Sequence, residues 1–160
     1  ESTNDATLTR INRCHTYADS VSAIEKTHAY GIQTGIHLII GLPGENDAMI
    51  IKHAKEISQL PIHTLKLHQL QIIKGTPLEQ MYLQQPELFQ SYTVHDYLTL
   101  MTKFIAHLHP NIIIERFLSE SPPHMIIHPH WGGIKNFEFV NQLKKLLIQQ
   151  NITQGNMLSL

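Results

Sequence analysis

The sequence predicts an α/β fold of parallel strand–helix units, and two features of its pattern lead to this. Three apolar segments of strand length, at 35–40, 64–70 and 112–117, alternate with segments whose apolar residues recur at helical spacing. The turns between them are short and contain Gly or Pro. Such alternation is typical of βαβ units with parallel strands and right-handed crossovers. The pattern alone leaves open whether the sheet is open or is a slice of a barrel.

The first part of the chain predicts helices, then a strand, then another helix. Residues 4–30 have helical periodicity in two pieces, and the strand at 35–40 follows them. A Gly-Leu-Pro-Gly turn at 41–44 comes next. The apolar residues of 46–59 again recur at helical spacing, and Pro61 prevents this helix from continuing.

The rest of the chain repeats this order after a second turn. Thr93 and Asp96 form a capping-box pattern and begin a helix that ends before Pro110. Four further segments are predicted: an irregular polar stretch at 84–86, a short strand at 125–128, a last helix at 137–150, and a frayed tail after Asn151.

Length and composition fit one globular domain of 160 residues, 42% hydrophobic and 16% charged. The formal net charge of -1 excludes a broad basic surface for nucleic acids or acidic membranes. Apolar runs are shorter than the roughly twenty residues that span a bilayer, so we expect no membrane segment. The single Cys14 permits no internal disulfide and favours a reducing, cytoplasmic setting. Because the sequence opens with Glu1 rather than Met, we expect it to be a piece of a longer one.

Ligands of parallel α/β proteins bind at the carboxyl ends of the strands, which directs attention to the turns after Ile40, Leu70 and Phe117. The turn at 41–45 leads into a helix N-terminus, whose free N–H groups suit an anion or a ligand ring. The alternative is an ordinary tight turn, with Glu45 placed favourably near the positive end of the helix.

Polar residues on apolar strands are the more informative signal, because burying them costs free energy unless they are hydrogen-bonded or used. The period of two places Lys66 and His68 on the face opposite the leucines, where they would point into a barrel. His37 interrupts the first strand. On the third strand, Glu115 and Arg116 are predicted to face opposite sides. Each residue alone fits a structural role, whereas several converging on one end indicate a site.

Metal and nucleophile chemistry receive little support from the sequence. The twelve histidines include no pair with the spacing of a zinc site, and one cysteine cannot hold a metal cluster, so we expect no metal site in this chain. No P-loop, Gly-x-Ser-x-Gly or Gly-x-Gly-x-x-Gly motif is present.

Several motifs nevertheless follow one another in a recognisable order: Glu1 to Asp5, Leu8 to Arg13, His37 to Glu45, Lys66 to Leu70, and Lys74 to Leu78. In this order and spacing the chain resembles the second half of the core of a radical S-adenosylmethionine (SAM) enzyme. It is most similar to the YhcC-like branch, which is related to the elongator catalytic subunit and to coproporphyrinogen oxidase. The resemblance implies a partial, TIM-like (βα)6 barrel. Residues from 1 to about 118 would be its second half, and those from about 119 to 160 a C-terminal helical extension.

The resemblance also implies cofactors and an activity. Members of the family bind a four-iron four-sulfur (4Fe-4S) cluster through a cysteine triplet, and the reduced cluster cleaves SAM to a 5′-deoxyadenosyl radical that abstracts hydrogen from the substrate. This chain has one cysteine, so the cluster ligands would lie outside it and the chain alone would be inactive. Analogy with the relatives implies an Fe-S oxidoreductase that modifies an RNA base, for example in tRNA.

Position by position, the resemblance implies a set of SAM-binding residues: Glu1 and His37 at ribose-contacting positions, Arg13 at the SAM carboxylate, and Ile39, Gly41 and Leu70 at the adenine. His37 departs from the family pattern, which often has a carboxylate there. The physical argument above adds Lys66, His68 and Arg116 as substrate-side candidates.

Two other classes of function stay open. One is a half-barrel that binds SAM or a nucleotide without redox catalysis, and the other is a small metal-dependent hydrolase that uses the histidines, which no ligand spacing supports. Half a barrel exposes strand edges and its interior, so we expect the isolated chain to self-associate.

Overall fold

A computed structural model describes residues 1–158 of the chain. The helices in this range are α1 (Asp5–Arg10), α2 (Tyr17–Ala29), α3 (Asp47–Ile57), α4 (Pro77–Gln84), α5 (Val94–Ala106) and α6 (Asn136–Gln149). The strands are β1 (Gly35–Ile40), β2 (Thr64–Gln69), β3 (Ile72–Ile73), β4 (Ile113–Arg116) and β5 (Ile126–His128). Single 3-10 turns lie at Pro86–Leu88 and Pro123–Met125. The three predicted strands and their intervening helices are thus confirmed.

The main sheet has three strands in the order β1-β2-β4, and both pairs are parallel. Gly35 pairs with Thr64 and Ile40 with Gln69, so β1 and β2 end together and their carboxyl ends lie at one edge. The short strands β3 and β5 pair antiparallel and form a separate two-stranded sheet. This second pairing ties the segment after β2 to the segment before α6.

One face of the main sheet is covered by helices, and α5 lies at the centre of this layer. It begins at the Thr93–Asp96 capping box that the sequence predicts, and it packs against both α3 and α6. Its apolar face is fully buried, including Tyr97 and Phe104. The Tyr97 hydroxyl donates a hydrogen bond to the Phe117 carbonyl at 3.0 Å, which ties α5 to the end of β4.

One helix was not predicted, and the prediction for the tail needs correction. Helix α4 precedes the irregular stretch at 84–86 and begins at the N-cap Thr76 with Pro77 in its first turn. Although no residue of α4 is fully buried, its start is marked by the capping Thr76, by Pro77 and by Glu79 in the first turn, a signal that the sequence analysis passed over. The tail after Asn151 is attached as far as the described residues extend, because the Gln154 amide donates to two carbonyl groups and the Gly155 N–H to a third. Residues 159–160 lie outside the described range.

Across residues 1–158, every helix is too short or too polar to cross a membrane.

Candidate functional site

The face of the sheet opposite the helices carries the candidate site, and we call it the open face. On β2, Leu65 and Leu67 are fully buried under the helices, whereas Lys66 and His68 alternate with them on the open face and are half-buried. Residues at the same register of β1, including His37, share this face. The prediction that Lys66 and His68 lie on the face opposite the leucines is therefore confirmed.

The prediction that Glu115 and Arg116 face opposite sides is wrong. Leu65 pairs with Ile114 and Lys66 pairs with Arg116, so Glu115 is an extra residue in β4. Such a β-bulge interrupts the alternation of side chains. Both side chains consequently reach the open face: Glu115 Oε2 lies 3.2 Å from Lys66 Nζ, and Arg116 Nη2 lies 3.0 Å from His68 Nε2.

The polar groups of the open face influence one another. The rings of His37 and His68 are stacked, with centroids 5.3 Å apart. Burial lowers the pKa of His68, and the positive charge of Arg116 lowers it further, so its imidazole is neutral at pH 7. Hydrogen bonds from Thr64 and Lys66 lower the pKa of Glu115 and keep its carboxylate ionised. The face therefore combines one ion pair, two stacked imidazoles and one guanidinium.

The first residues of the chain lie beside β1. The Ile39 N–H donates to the Glu1 carbonyl at 2.9 Å, and the Glu1 carboxylate forms a 2.9 Å ion pair with Arg13 Nε. Glu1, Arg13 and His37 line the same cavity, whose volume is about 480 Å³. Three of the residues that the resemblance places around SAM are therefore brought together, although they lie up to 36 positions apart in sequence.

The other three predicted SAM contacts lie at the carboxyl ends of β1 and β2. Ile39 is half-buried on the open face. Gly41 has a φ of +91°, which favours glycine, and a Cβ there would lie 3.8 Å from Leu70 Cβ. The Leu70 N–H donates to the Ile40 carbonyl at 2.8 Å. Gly41 and Leu70 thus adjoin at the ends of two neighbouring strands, where Gly41 is buried beside the Tyr92 ring.

A buried polar cluster joins the start of the chain to α3, and the sequence analysis did not predict it. The cluster consists of Ser2, Thr3, Glu45 and His53. Ser2 Oγ donates to Glu45 Oε1 at 2.5 Å, and His53 Nε2 lies 3.2 Å from the same oxygen, at an angle that makes no hydrogen bond. His53 Nδ1 contacts the Thr3 hydroxyl. Glu45 and His53 are each 1% exposed, so this carboxylate interacts within the protein interior rather than at a solvated helix end.

This buried cluster fixes the position of Glu1. Ser2 and Thr3 are held against α3, and the neighbouring Glu1 is thereby held against β1. A signal for the cluster does exist in the sequence: His53 shares the buried face of α3 with Ile50, Ala54 and Ile57. A lone histidine among apolar residues at helical spacing indicates a buried polar contact.

A second cavity, of about 320 Å³, lies at the carboxyl ends of β2 and β4. The Gln69 amide forms paired hydrogen bonds with the Ser119 backbone, at 3.0 Å and 2.6 Å, and Ser121 donates to Gln71 at 2.7 Å. The loop that begins at Trp131 closes this cavity. Gln69 is the polar exception on the leucine face of β2, which is the signal that sequence reasoning passed over.

The residues of the site suit SAM but not an iron–sulfur cluster. Within residues 1–158 no three His, Cys, Asp or Glu side chains are grouped to hold a metal ion, and Cys14 is exposed and alone. A 4Fe-4S cluster needs several thiolates, so this chain cannot hold one by itself. The donor set around the 480 Å³ cavity, a carboxylate beside a guanidinium, matches the hydroxyl and carboxylate groups of SAM.

Comparison with protein families shows to which family the chain belongs. Residues 62–149 match the model of the radical SAM C-terminal domain, and residues 1–57 match that of the radical SAM superfamily. The chain belongs to the radical SAM superfamily. Among curated proteins, this radical SAM chain is 31% identical to the uncharacterized protein MJ0486 of Methanocaldococcus jannaschii, over 97% of the chain and 48% of that protein. It is 27% identical to the protein YhcC of Escherichia coli, over 82% of the chain and 42% of YhcC.

A solved structure shares the fold. The archaeal Elp3 of Methanocaldococcus infernus, with residues 1–46 deleted, superposes with a TM-score of 0.81 over 96% of this chain and 35% of Elp3, at 19% sequence identity. The parallel sheet of this radical SAM chain is therefore part of a βα barrel of the Elp3 kind, and the expected YhcC-like membership is confirmed. The chain spans less than half the length of each of these relatives.

Proposed function

We propose that this chain supplies the SAM-binding half of the barrel of a radical SAM oxidoreductase. The observation that carries the proposal is the convergence of Glu1, Arg13 and His37 on one cavity of about 480 Å³ in a member of this superfamily. Their chemistry is complementary to SAM, which has a carboxylate, ribose hydroxyls and an apolar adenine ring. Family membership alone does not identify a substrate, because one fold hosts many reactions.

Each residue has a distinct proposed task. The Arg13 guanidinium binds the SAM carboxylate, for which it must leave or share its ion pair with Glu1. The Glu1 carboxylate then accepts hydrogen bonds from the ribose hydroxyls, beside the His37 imidazole. Ile39 and Leu70 supply the apolar wall and backbone contacts for adenine, and Gly41, with its positive φ, forms the turn after β1 that positions them.

The chemistry of the complete protein extends beyond this chain. When bound, the cluster of such an enzyme supplies the electron for reductive cleavage of SAM to a 5′-deoxyadenosyl radical. The single Cys14 leaves the cluster ligands to residues outside the chain, so the chain alone is inactive.

Within the chain we place the barrel up to about residue 118 and the C-terminal extension after it. We also propose a cytoplasmic location and, by analogy with the relatives, an RNA base such as one in tRNA as the substrate.

Anaerobic assay of SAM cleavage tests this proposal. The protein is expressed from its complete reading frame, reconstituted with iron and sulfide, and supplied with dithionite and SAM. We expect 5′-deoxyadenosine to form, and we expect Arg13→Gln to reduce its formation at subsaturating SAM. The control Lys145→Gln also removes a positive charge, but from an exposed residue of α6 that does not line the cavity, so it leaves the rate unchanged. SAM binding without 5′-deoxyadenosine would instead support a nucleotide-binding half-barrel.

A further inference from the structure

Arg116 differs from the other cation of the open face because no carboxylate pairs with it. Lys66 lies 3.2 Å from Glu115, whereas Arg116 contacts the His68 imidazole at 3.0 Å. In the part of the chain that the structure describes, no carboxylate oxygen lies within the 4.0 Å of an ion pair to Arg116. Glu120, in the loop after β4, is itself paired with Lys135 at 3.0 Å.

This arrangement is unfavourable for the protein on its own. Arg116 is half-buried, and its Nε atom is fully buried with no hydrogen-bond partner. A partly desolvated guanidinium without an anion costs free energy that a structural residue would avoid. Burial lowers the pKa of the adjacent His68, and the positive charge of Arg116 lowers it further. A bound anion would offset this positive charge.

Three side chains that carry N–H groups, those of Arg116, His68 and His37, lie next to one another on the open face. Arg116 contacts His68, and the ring of His68 stacks on that of His37 at 5.3 Å. Lys66 and its partner Glu115 border the same group. A carboxylate offers two acceptor oxygens, whereas a phosphate group offers three and carries up to two negative charges. A phosphate group therefore matches these N–H groups better than a carboxylate does.

We propose that Arg116 and His68 bind a phosphate group of the substrate on the open face, next to His37. That the bound molecule is the substrate rests on the proposed function, whereas the binding of an anion to the open face does not. Because the open face also carries Ile39, the phosphate-bearing molecule would lie next to the adenine position. The substrate class is thus a phosphate ester rather than a neutral metabolite.

The test uses protein from the complete reading frame, labelled with ¹⁵N-histidine and titrated with methyl phosphate or with acetate at constant pH. The imidazole signals of His37 and His68 are assigned by single substitution. Methyl phosphate should shift both signals to saturation, and Arg116→Gln should weaken its binding at least tenfold. The exposed cation Lys52, on the far side of α3, gives the matched control Lys52→Gln, which should bind methyl phosphate as the wild type does.

In these titrations with methyl phosphate and acetate, three results would overturn the proposal: no saturable shift with methyl phosphate, equal binding by Arg116→Gln, or tighter binding of acetate than of methyl phosphate. A parallel titration with SAM separates this site from the proposed SAM site. Equal SAM affinity in Arg116→Gln and the wild type supports two distinct sites, and a parallel loss of SAM affinity assigns Arg116 to SAM and overturns the proposal. Saturable methyl phosphate binding in a protein that binds no SAM would support the anion site while refuting the proposed function.

Discussion

The buried cluster of Ser2, Thr3, Glu45 and His53 gives a sharp prediction for the substitution His53→Leu. His53 lies 3.2 Å from a carboxylate that is 1% exposed, and a second oxygen of that carboxylate has no partner within the described residues. Removing the imidazole takes a polar neighbour from both Glu45 and Thr3, and an unsatisfied buried polar group costs about 1–3 kcal/mol. Leucine in place of the imidazole regains about 1 kcal/mol of apolar burial. We therefore expect a net loss of about 1–5 kcal/mol in the free energy of unfolding.

Urea denaturation at low protein concentration measures this loss. The single tryptophan, Trp131, reports on the core because its ring lies 5.1 Å from that of Tyr97. The matched control is Lys52→Ala on the same helix, which removes an exposed ion pair with Glu56 at 3.4 Å. Exposed pairs of this kind contribute about 0.3–0.5 kcal/mol.

The second half of the test is a double-mutant comparison. Adding Glu45→Gln to His53→Leu should recover part of the lost stability, because a buried neutral amide costs less than a buried carboxylate. Since Ser2 and Thr3 hold Glu1 beside β1, His53→Leu should also weaken SAM binding. A loss of stability below about 1 kcal/mol, no larger than that of Lys52→Ala, would refute the structural role assigned to the cluster.

Four further outcomes follow from the same structure. Arg13→Ala should weaken SAM binding in titration calorimetry by about 2 kcal/mol, roughly thirtyfold, through loss of a charge-assisted pair; unchanged affinity would remove this assignment. Tyr97→Phe should lower the free energy of unfolding in urea by about 1–2 kcal/mol, because the buried Phe117 carbonyl loses its donor; a neutral effect would contradict this. The folded-state pKa of His68 lies below the ordinary 6.5, so the unfolded chain binds more protons between these two values. Stability should therefore fall as pH drops through about 6.5, and His68→Gln should flatten that fall in a pH series of urea titrations. Sedimentation of the isolated chain should reveal concentration-dependent self-association, against which a stable monomer would count.

The architecture was predictable from sequence because its signals are local. Apolar runs bounded by Gly and Pro mark β1, β2 and β4, and the capping residues mark where α2, α3 and α5 begin. The helix α4 carries the same kind of signal, since Thr76 caps it and Pro77 and Glu79 follow in its first turn, but the sequence analysis passed over it. Attachment of the tail through Gln154 depends on carbonyl groups more than forty residues away, and no local pattern encodes it.

The site was predictable in its residue types but not in its geometry. The two-residue alternation of a β-strand correctly predicted the face on which Lys66 and His68 lie, because β2 is regular over its length. It failed for Glu115, since a β-bulge is set by the pairing of two strands and not by the sequence of one. Glu45 was predicted to lie at a helix end, and only the tertiary contact with Ser2, 43 positions away, explains its burial.

A structure of the protein from its complete reading frame with SAM bound, determined anaerobically, tests the central claim most directly. We expect the SAM carboxylate to contact Arg13 and the adenine ring to lie against Ile39, Gly41 and Leu70. The open face at Arg116 should remain accessible beside the bound SAM. SAM bound away from the carboxyl ends of β1 and β2, or out of reach of Arg13, would contradict the claim that this chain forms the SAM-binding half of the barrel.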